Sequence, residues 1–428
     1  MALAKTLGKY RPIAELGRGG MAVVYLAASQ GPRGFSKLVV VKELRDDFTQ
    51  DPEFGTMFVD EARLAARLNH PNIVQTYEVE EEDKQLFLVM EYLEGQSMSA
   101  VRSRLSKLGT LTRDHQVRVI CDVLDGLAYA HDLVDYGGTA LNVVHRDVSP
   151  HNVIITYAGE TKLVDFGIAK TSDQSSHTRT GVIKGKLSYM APEQAFGKKV
   201  DRRADLFAVG VMLWEAITGK RMWKGMAEGA IAHRLSVGDI PKISDYIADP
   251  PPALRAACER ALATRPEDRY PNAVAMRQDL EAYLATLAQP PSARDLGRLV
   301  SEAFREERVK LAGLVEEPMR LLRARGIHAA PSVEIPRVQA PIMSLTPSKP
   351  EASQPAVDIA LPGALPVSQE APYPIKWLVA AGVIVLLLGA AVTTAIMAPW
   401  AQAPAVNTSS GGTPQPPLSA SHDPKAHR

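Results

Sequence analysis

The chain has 428 residues, of which 46% are hydrophobic and 23% are charged, and its formal net charge is +1. This is the composition of an ordinary globular protein with enough length for two or three domains. A net charge so close to zero gives no reason to expect nucleic acid as a partner. The N-terminal stretch MALAKTLGKY contains no apolar run of signal-peptide length, so we expect no secretion signal there.

Regular patterning extends over residues 8–288. Short β-rich runs come first (MAVVYLAA, LVVVKEL, IVQTYEV and QLFLVMEY), and longer helical patterns follow. An early sheet followed by a helical body predicts an α+β fold with two unequal lobes. Cys121 and Cys258 lie far apart in helix-like stretches, and we expect both to be buried and free.

A glycine-rich stretch, LGRGGMAVVY, begins at Leu16. Gly17 and Gly19 allow a backbone to approach a phosphate closely, while Ala22 occupies the position of a third glycine. A dinucleotide-binding fold would continue into a helix, but a strand-like run that contains Val24 follows here. The glycines are therefore predicted to lie at the tip of a β-hairpin. The alternative is a glycine-rich turn that binds no ligand.

A lysine and a glutamate form the next candidate pair. Lys42 lies within the apolar run LVVVKEL, and a lysine in a buried strand needs an anionic partner. The phosphates of a nucleotide would serve, with Glu61 holding the lysine from a predicted helix. The alternative is a lysine at a strand edge and a solvated helix charge.

The run QLFLVMEYLEG ends an apolar strand and opens into a turn. A nucleotide base can form hydrogen bonds to extended backbone there, through the Glu91 carbonyl and the Leu93 amide. Met90 would line the back of that pocket. The alternative reading of Met90 is an ordinary core residue.

Residues 145–152 have the sequence HRDVSPHN, and VDFGIAK follows with Asp165. Asp147 can orient and deprotonate an attacking hydroxyl, while Asn152 and Asp165 can each ligate magnesium. Such a site works by positioning and charge neutralisation, as phosphoryl transfer requires. The alternative is a set of unrelated polar loop residues.

Three further residues are predicted to have structural roles. We expect Glu193, in SYMAPEQ, to pair with Arg269, in RPEDRYP, within the helical lobe. We expect Asp205, in DLFAVG, to hold the backbone of the HRDVSPHN loop.

The order of these motifs resembles that of the eukaryotic-like Ser/Thr protein kinases of bacteria, over roughly residues 8–288. The resemblance implies a bilobal protein kinase fold, ATP and Mg²⁺ as cofactors, and proteins bearing Ser or Thr as substrates. One alternative is a pseudokinase, a membrane-tethered scaffold that binds nucleotide without efficient transfer. Another is a small-molecule phosphotransferase of related fold, which the segment around APE disfavours.

Two departures from the family pattern are interpreted together. Ser149 stands where the family carries a lysine, and Lys186 stands where Ser/Thr kinases usually carry a threonine. Our hypothesis is a reciprocal swap in which Lys186 neutralises γ-phosphate charge and the Ser149 hydroxyl contacts Asp147. The alternative is a solvent-facing Lys186 and a weak or inactive enzyme.

Regulation by phosphorylation is the next expectation. Hydroxyl residues fill the stretch between DFG and APE, and we predict autophosphorylation centred on Thr178 or Thr180. Family members that carry an arginine at the position of Arg146 commonly use it to grip a phosphorylated activation segment. A phosphate there would order the segment through charge-assisted hydrogen bonds.

The rest of the chain is divided by composition. Residues 289–328 predict an amphipathic helical extension that packs on the body, with a homodimer face as the alternative. Residues 329–375 form a Pro/Ala-rich linker, and residues 376–398 contain an apolar run long enough to span a membrane. A short extracytoplasmic tail, 399–428, would follow. We therefore expect a single-pass protein of the bacterial cytoplasmic (inner) membrane, with residues 8–288 in the cytoplasm.

Overall fold

The computed structural model describes residues 7–19, 22–30, 35–45, 52–82, 85–166, 187–325 and 335–337. All of these ranges fall within Met1–Glu351. The predicted membrane span 376–398 and tail 399–428 lie outside them, as does the predicted linker apart from residues 335–337. Thr178, Thr180 and Lys186 also lie outside the described ranges.

An antiparallel five-stranded sheet with strand order β1-β2-β3-β5-β4 forms the N-terminal lobe. Both faces of β2 are buried, because Val24 and Leu26 pack into one apolar cluster and Val23 and Tyr25 into another. Helix α1 covers the sheet through Phe58. The elements of this lobe are β1 (Tyr10–Arg18), β2 (Ala22–Gln30), β3 (Ser36–Leu44), α1 (Pro52–Ala65), β4 (Thr76–Glu82) and β5 (Gln85–Glu91).

Helices dominate the C-terminal lobe. Helix α5 is buried from Ala204 to Thr218, since most of its sequence is apolar, and it forms the centre of this lobe. Cys121 and Cys258 are both buried and free. The helices are α2 (Met98–Leu108), α3 (Arg113–His131), α4 (Pro192–Ala195), α5 (Arg203–Thr218), α6 (Glu228–Val237), α7 (Pro252–Ala261) and α8 (Ala273–Ala285).

A small antiparallel sheet of order β6-β7-β8 lies where the two lobes join. Its strands are β6 (Gly95–Ser97), β7 (Val153–Thr156) and β8 (Thr161–Leu163). Short 3-10 helices occupy Leu187–Tyr189, Ile243–Asp245 and Pro266–Asp268. The predicted two-lobed α+β architecture is therefore confirmed for the described residues.

Two further helices follow the second lobe, α9 (Ala293–Ala303) and α10 (Arg305–Arg325). Leu296 and Val300 of α9 pack into the core of the C-terminal lobe, as expected for an extension that packs on the body. Pro318 lies inside α10, which continues beyond it. Among the helices in the described ranges, none is long and apolar enough to cross a membrane.

Candidate active site

An apolar wall lies between the two lobes and is built from both of them. Side chains from the sheet of the N-terminal lobe meet a side chain of β7 and one from the residue that follows β8 in one buried cluster. Its members include Met90 and Leu93, which the sequence placed at a nucleotide base. Two more, Leu16 and Val24, belong to the predicted glycine-rich hairpin, and the sequence did not suggest Ile154 and Val164. A flat aromatic ligand would find apolar contacts on two sides here.

The glycine-rich stretch forms the turn between β1 and β2. Gly17 pairs with Val24, and the amide of Gly19 donates a hydrogen bond of 2.8 Å to the carbonyl of Ala22. The chain therefore reverses direction at these glycines and returns as a strand. This is the hairpin geometry that the sequence predicts, and it places Gly17 next to Leu16 and Val24 of the apolar wall.

Glu91 lies at the end of β5, where the two lobes connect. Its carboxylate accepts hydrogen bonds from the Gln75 amide at 2.7 Å and from Lys162 Nζ at 2.8 Å. The sequence predicted only a backbone role for Glu91. Because Lys162 belongs to β8, the ion pair ties the connection between the lobes to the strand that precedes Asp165.

The lysine of β3 reaches across the cleft. Lys42 Nζ lies 3.0 Å from Asp165 Oδ1, and the two side chains are 12% and 14% exposed. The pair brings together residues from both lobes that the sequence assigned to phosphate and metal binding. Glu61, predicted to hold Lys42, lies on α1, and its side chain is outside the described part of the structure.

Asn152 organises the loop that carries Asp147. Its side-chain amide donates to the Asp147 carbonyl at 2.8 Å, and its own carbonyl accepts the Val164 amide at 2.9 Å. The Asn152 amide donates to the Ser149 carbonyl at 3.0 Å. Within the described residues, no hydrogen bond joins the Ser149 hydroxyl to the Asp147 carboxylate.

His145 links this loop to the segment of Asp165. The Asp147 amide donates to Nδ1 at 3.3 Å, so Nε2 carries the proton that is donated to the Val164 carbonyl at 3.1 Å. The imidazole also packs on Phe166, with ring centroids 4.4 Å apart. The backbone at Asp165 has a positive φ of 57°, a conformation that the surrounding contacts support.

Asp205 accepts hydrogen bonds from the backbone of the same loop. One carboxylate oxygen accepts the His145 amide at 2.8 Å and lies 2.8 Å from His131 Nε2, and the other accepts the Arg146 amide at 2.8 Å. Burial alone would raise the pKa of this carboxyl, but the hydrogen bond and electrostatic attraction of His131 and the backbone amide of His145 lower it on balance. Asp205 therefore stabilises Arg146 in its left-handed backbone conformation, with φ of 62°.

Arg146 is half-buried beside Asp147. Burial lowers the pKa of its guanidinium, against the opposing effect of Asp205. Its carbonyl accepts the Gln194 side-chain amide at 2.7 Å, which connects the loop to helix α4. The phosphorylation sites predicted to contact Arg146 lie outside the described ranges.

Glu193 and Arg269 form a bidentate ion pair with distances of 2.7 and 2.8 Å. The arginine side chain is 0% exposed, and it also donates to three backbone carbonyls, of Ala263, Thr264 and Arg203. The pair that the sequence indicated is therefore present, and it fixes α4 to the C-terminal lobe.

A second buried charge network lies near the catalytic loop, and the sequence did not suggest it. Glu215 is in contact with Arg102, and it accepts a hydrogen bond of 2.9 Å from the Tyr189 hydroxyl. Arg221 Nη1 donates to the same hydroxyl at 2.7 Å. Tyr189 and Asp147 line one small cavity, so this network adjoins the reacting loop.

His151, next to Asn152, faces this network. Its Nε2 lies 3.4 Å from the Ser99 hydroxyl, which also accepts a hydrogen bond of 3.0 Å from Arg221. Burial lowers the pKa of His151, and the positive charge of Arg221 lowers it further. The imidazole is therefore neutral at pH 7.

The donor set fits a magnesium ion. Asp165 supplies carboxylate oxygens and Asn152 supplies an amide oxygen, both hard ligands of the kind that Mg²⁺ prefers. The Asn152 amide nitrogen is bound to the Asp147 carbonyl, so its oxygen is the atom left for a cation. Mg²⁺ commonly takes one or two protein oxygens together with substrate phosphates, which matches this small set.

The sequence profile of the family described as "Protein kinase domain" matches residues 10–278. The chain therefore belongs to the protein kinase family, whose members are ATP-dependent phosphotransferases. The fold, the cleft and the order of Lys42, Asp147, Asn152 and Asp165 agree with that membership.

Several bacterial kinases are similar in sequence to the chain. Tyrosine-protein kinase MasK of Myxococcus xanthus (strain DK1622) is 43% identical over 307 residues, which are 72% of this chain and 48% of MasK. Serine/threonine-protein kinase PknL of Mycobacterium tuberculosis (strain ATCC 25618 / H37Rv) is 34% identical over 309 residues, 71% of this chain and 74% of PknL. The chain thus spans about half the length of MasK.

A solved structure gives a further likeness. The crystal structure of the Mycobacterium tuberculosis PknI kinase domain is 29% identical, covers 66% of this chain and 98% of that domain, and has a TM-score of 0.49.

Proposed function

We propose that the chain is a membrane-anchored Ser/Thr protein kinase that transfers the γ-phosphate of Mg-ATP to protein hydroxyls. The observation that carries the proposal is the contact of 3.0 Å between Lys42 and Asp165. This contact joins the two lobes beside the loop of Asp147 and Asn152. The apolar wall above that loop is the natural place for the adenine ring, with the Glu91 carbonyl and the Leu93 amide as hydrogen-bonding partners.

The chemistry assigned to Asp147 is acceptance of the proton from the attacking hydroxyl. The hydroxyl oxygen forms a bond to the γ-phosphorus while the bond between that phosphorus and the bridging oxygen breaks, and ADP leaves. Asn152 holds the Asp147 backbone, and Lys42 binds the α- and β-phosphates when Glu61 or Asp165 orients it. Asp165 and Asn152 would hold Mg²⁺, which neutralises phosphate charge when it is bound.

The acceptor class is proposed to be Ser and Thr. Support comes from the relatives named as Ser/Thr kinases, whereas MasK is named as a tyrosine kinase. Phosphoamino acid analysis of the labelled full chain and of a mixed protein substrate decides between them. Phosphotyrosine as the main product would overturn this part of the proposal.

The swap of Ser149 and Lys186 belongs to the same proposal. A lysine delivered from the activation segment would replace the positive charge that Ser149 lacks, and losing such a charge costs about 10²–10³ in rate. The double variant Ser149→Lys with Lys186→Thr should retain much more activity than Lys186→Thr alone. Equal losses in the two variants would refute the swap.

We further propose that phosphate on Thr178 or Thr180 pairs with Arg146. The half-buried position of Arg146 beside Asp147 supports this role. Mass spectrometry of active protein should find phosphate at one of the two threonines, and Thr178→Ala with Thr180→Ala should lower activity. Full activity of that double variant would contradict the proposal.

Membrane anchoring rests on the composition of residues 376–398 alone. The proposed location is the bacterial cytoplasmic membrane, with the kinase domain on the ATP-containing side. Fractionation of cells that express the full chain should place it in the membrane fraction, and two charged substitutions, Val383→Arg and Leu386→Arg, should release it. Recovery of the unaltered chain in the soluble fraction would contradict anchoring.

A further inference from the structure

Helix α9 is anchored to the C-terminal lobe by close backbone contact. Leu296 and Val300 are buried in that lobe's core. A Cβ added to Gly297 would lie 2.6 Å from the amide nitrogen of Gly159, in the turn between β7 and β8. Only glycine allows this approach, so α9 has a fixed position relative to the loop that follows β7.

The junction between α9 and α10 is fixed as well. Arg104 of α2 donates to the Ala303 carbonyl at 2.9 Å and pairs with Glu307 at 2.5 Å. Its guanidinium also stacks over the ring of Phe304, with the carbon atom 4.1 Å from the centroid. These contacts set the direction in which α10 leaves the C-terminal lobe.

Helix α10 reaches the N-terminal lobe through one face. Its 21 residues extend about 31 Å at 1.5 Å per residue, long enough to pass from one lobe to the other. Leu311, Val315 and Met319 recur at a spacing of four residues and therefore share a face. Leu311 and Val315 pack on the cluster that contains Leu16 and Leu93, the proposed adenine wall.

Further along the same face, Met319 is only 9% exposed and packs against Ile13 of β1 and Ala28 of β2. These residues lie on the same sheet face as Val24 and Leu26, because side chains alternate along β2. Helix α10 therefore covers β1 on the side of the nucleotide cleft.

Residues 335–337 then complete the contact at the edge of the sheet. β1 is an edge strand, and its Glu15 amide donates to the Pro336 carbonyl at 3.1 Å. Arg337 lies 3.6 Å from the Glu15 carboxylate. Ile335 packs on the opposite sheet face, against the cluster of Tyr10 and Tyr25.

We propose that this lobe-bridging extension, residues 293–325 and 335–337, positions β1 and the adenine wall for nucleotide binding. Glu15 immediately precedes Leu16 and Gly17, so holding Glu15 in place holds the start of the glycine-rich turn. Leu311 and Val315 are positioning residues that act through the buried cluster to which Leu16 and Leu93 belong. The proposal rests on the proposed function, since it assigns a role in binding ATP.

A purely structural role would look different in solution. Packing that only stabilises the fold would change the melting temperature and leave the affinity of folded protein for ATP unaltered. If the extension positions the cleft, nucleotide binding and packing of the extension are coupled, so ATP must in turn stabilise the extension. Hydrogen exchange of amides in residues 311–319 should therefore slow when Mg-ATP is added to the full chain.

The chain offers a matched pair of valines for the main test. Val315 is half-buried against the adenine wall, whereas Val309, on the same helix, is 67% exposed. In the full chain, Val315→Asp should raise the Kd for a fluorescent ATP analogue about tenfold, because the charge expels this face from the apolar contact. Val309→Asp should leave the Kd within about twofold of the value for the unaltered chain. The conservative variant Val315→Ile should likewise keep the Kd near that value.

A second pair of variants avoids the buried contact and keeps the test decisive if Val315→Asp does not fold. Arg337 and Arg320 are both exposed, but only Arg337 faces Glu15 of β1. Arg337→Glu places two like charges together and should raise the Kd about two- to fivefold, whereas Arg320→Glu should not change it.

The outcomes distinguish a failure of the proposed function from a failure of the positioning role. If the unaltered chain does not bind the analogue, the proposed function fails. If it binds, and each variant has the Kd of its matched control, the extension is structural packing only and the inference is overturned. Raised Kd values for Val315→Asp and Arg337→Glu alone, with slowed exchange in residues 311–319, support it.

Discussion

The substitution Asp205→Asn tests how the catalytic loop is held. The carboxylate of Asp205 is 1% exposed and accepts the amides of His145 and Arg146, with His131 Nε2 beside it. An asparagine keeps the size of the side chain but replaces one acceptor oxygen by an NH₂ group. At least one buried backbone amide then loses its partner, and the remaining hydrogen bonds lose the assistance of a charge.

The magnitude follows from these contacts. A hydrogen bond to a charged group contributes about 1.5–3 kcal/mol and a neutral one about 0.5–1.5 kcal/mol. The cheaper burial of a neutral amide offsets part of the loss, so we expect a destabilisation of about 2–4 kcal/mol. For a domain of this size, that corresponds to a Tm lower by roughly 4–16 °C.

Catalysis should fall as well. Arg146 adopts a left-handed backbone that costs about 1–2 kcal/mol without support, and its amide is one of the groups held by Asp205. Losing that support should lower kcat by about 5- to 30-fold, since each 1.4 kcal/mol is a factor of ten. Differential scanning calorimetry and a phosphate-transfer assay measure the two effects on the same preparation.

Asp201→Asn is the matched control, because Asp201 has the same side chain close in sequence but is 45% exposed in its pair with Arg203. Its Tm and kcat should stay near those of the unaltered chain, as exposed ion pairs contribute about 0–1 kcal/mol. If Asp205→Asn changes Tm and kcat no more than Asp201→Asn, the reasoning about the loop is refuted.

The pH dependence of stability gives an independent check on the same residue. The pKa of Asp205 is lower in the folded protein than in the unfolded chain. Its contribution to stability is therefore fully present above the unfolded value of about 3.9 and is lost as pH falls through the lower folded value. Below about pH 4 the stability gap between the unaltered chain and Asp205→Asn should narrow. A gap that widens towards acid would contradict the lowered pKa.

Three further substitutions follow from the structure, the first of them with a matched control. Glu193→Ala strands the fully buried guanidinium that it pairs with, which should cost about 3–5 kcal/mol and lower Tm by roughly 6–20 °C. Glu317→Ala, at an exposed pair, should leave Tm unchanged, and similar melts for the two variants would contradict the first expectation. Gly297→Ile should detach α9 and expose residues 293–303 to limited proteolysis, whereas an unchanged digestion pattern would contradict the backbone contact. His145→Ala leaves the Val164 carbonyl without its imidazole donor and should lower kcat about tenfold, with a lower Tm because the truncated side chain is fully buried; an unchanged kcat would count against that link.

Much of the site could be predicted because its residues stand at the ends of apolar runs. Lys42 lies near the end of such a run, in β3, and Asp165 comes two residues after the end of β8. Two contacts also agree with the order of motifs: the pairing of Glu193 with Arg269, and the hydrogen bonds that Asp205 accepts from the backbone of the loop 145–152. Glu61 and Lys186 remain predictions, because the structure does not describe their side chains.

The contacts that sequence reasoning missed join residues far apart in the chain. Glu215 meets Arg102 and Tyr189 from different elements, and neither a period nor a local motif links them. Strand β1 was not predicted from the sequence either. It is buried on both faces and contains bulges, so its hydrophobicity does not alternate. The contact of Arg337 with Glu15 depends on where α10 leads the chain, which only the folded structure specifies.

The central claim is that this cleft transfers phosphate. We would measure incorporation from radiolabelled Mg-ATP by the full chain beside Asp147→Asn, with ATP affinity determined for both. We expect labelling of Ser or Thr by the unaltered chain, and a loss of about 10²-fold or more in Asp147→Asn with ATP affinity retained. If the unaltered chain binds ATP and transfers no phosphate, the proposed activity is wrong and the chain is a nucleotide-binding pseudokinase.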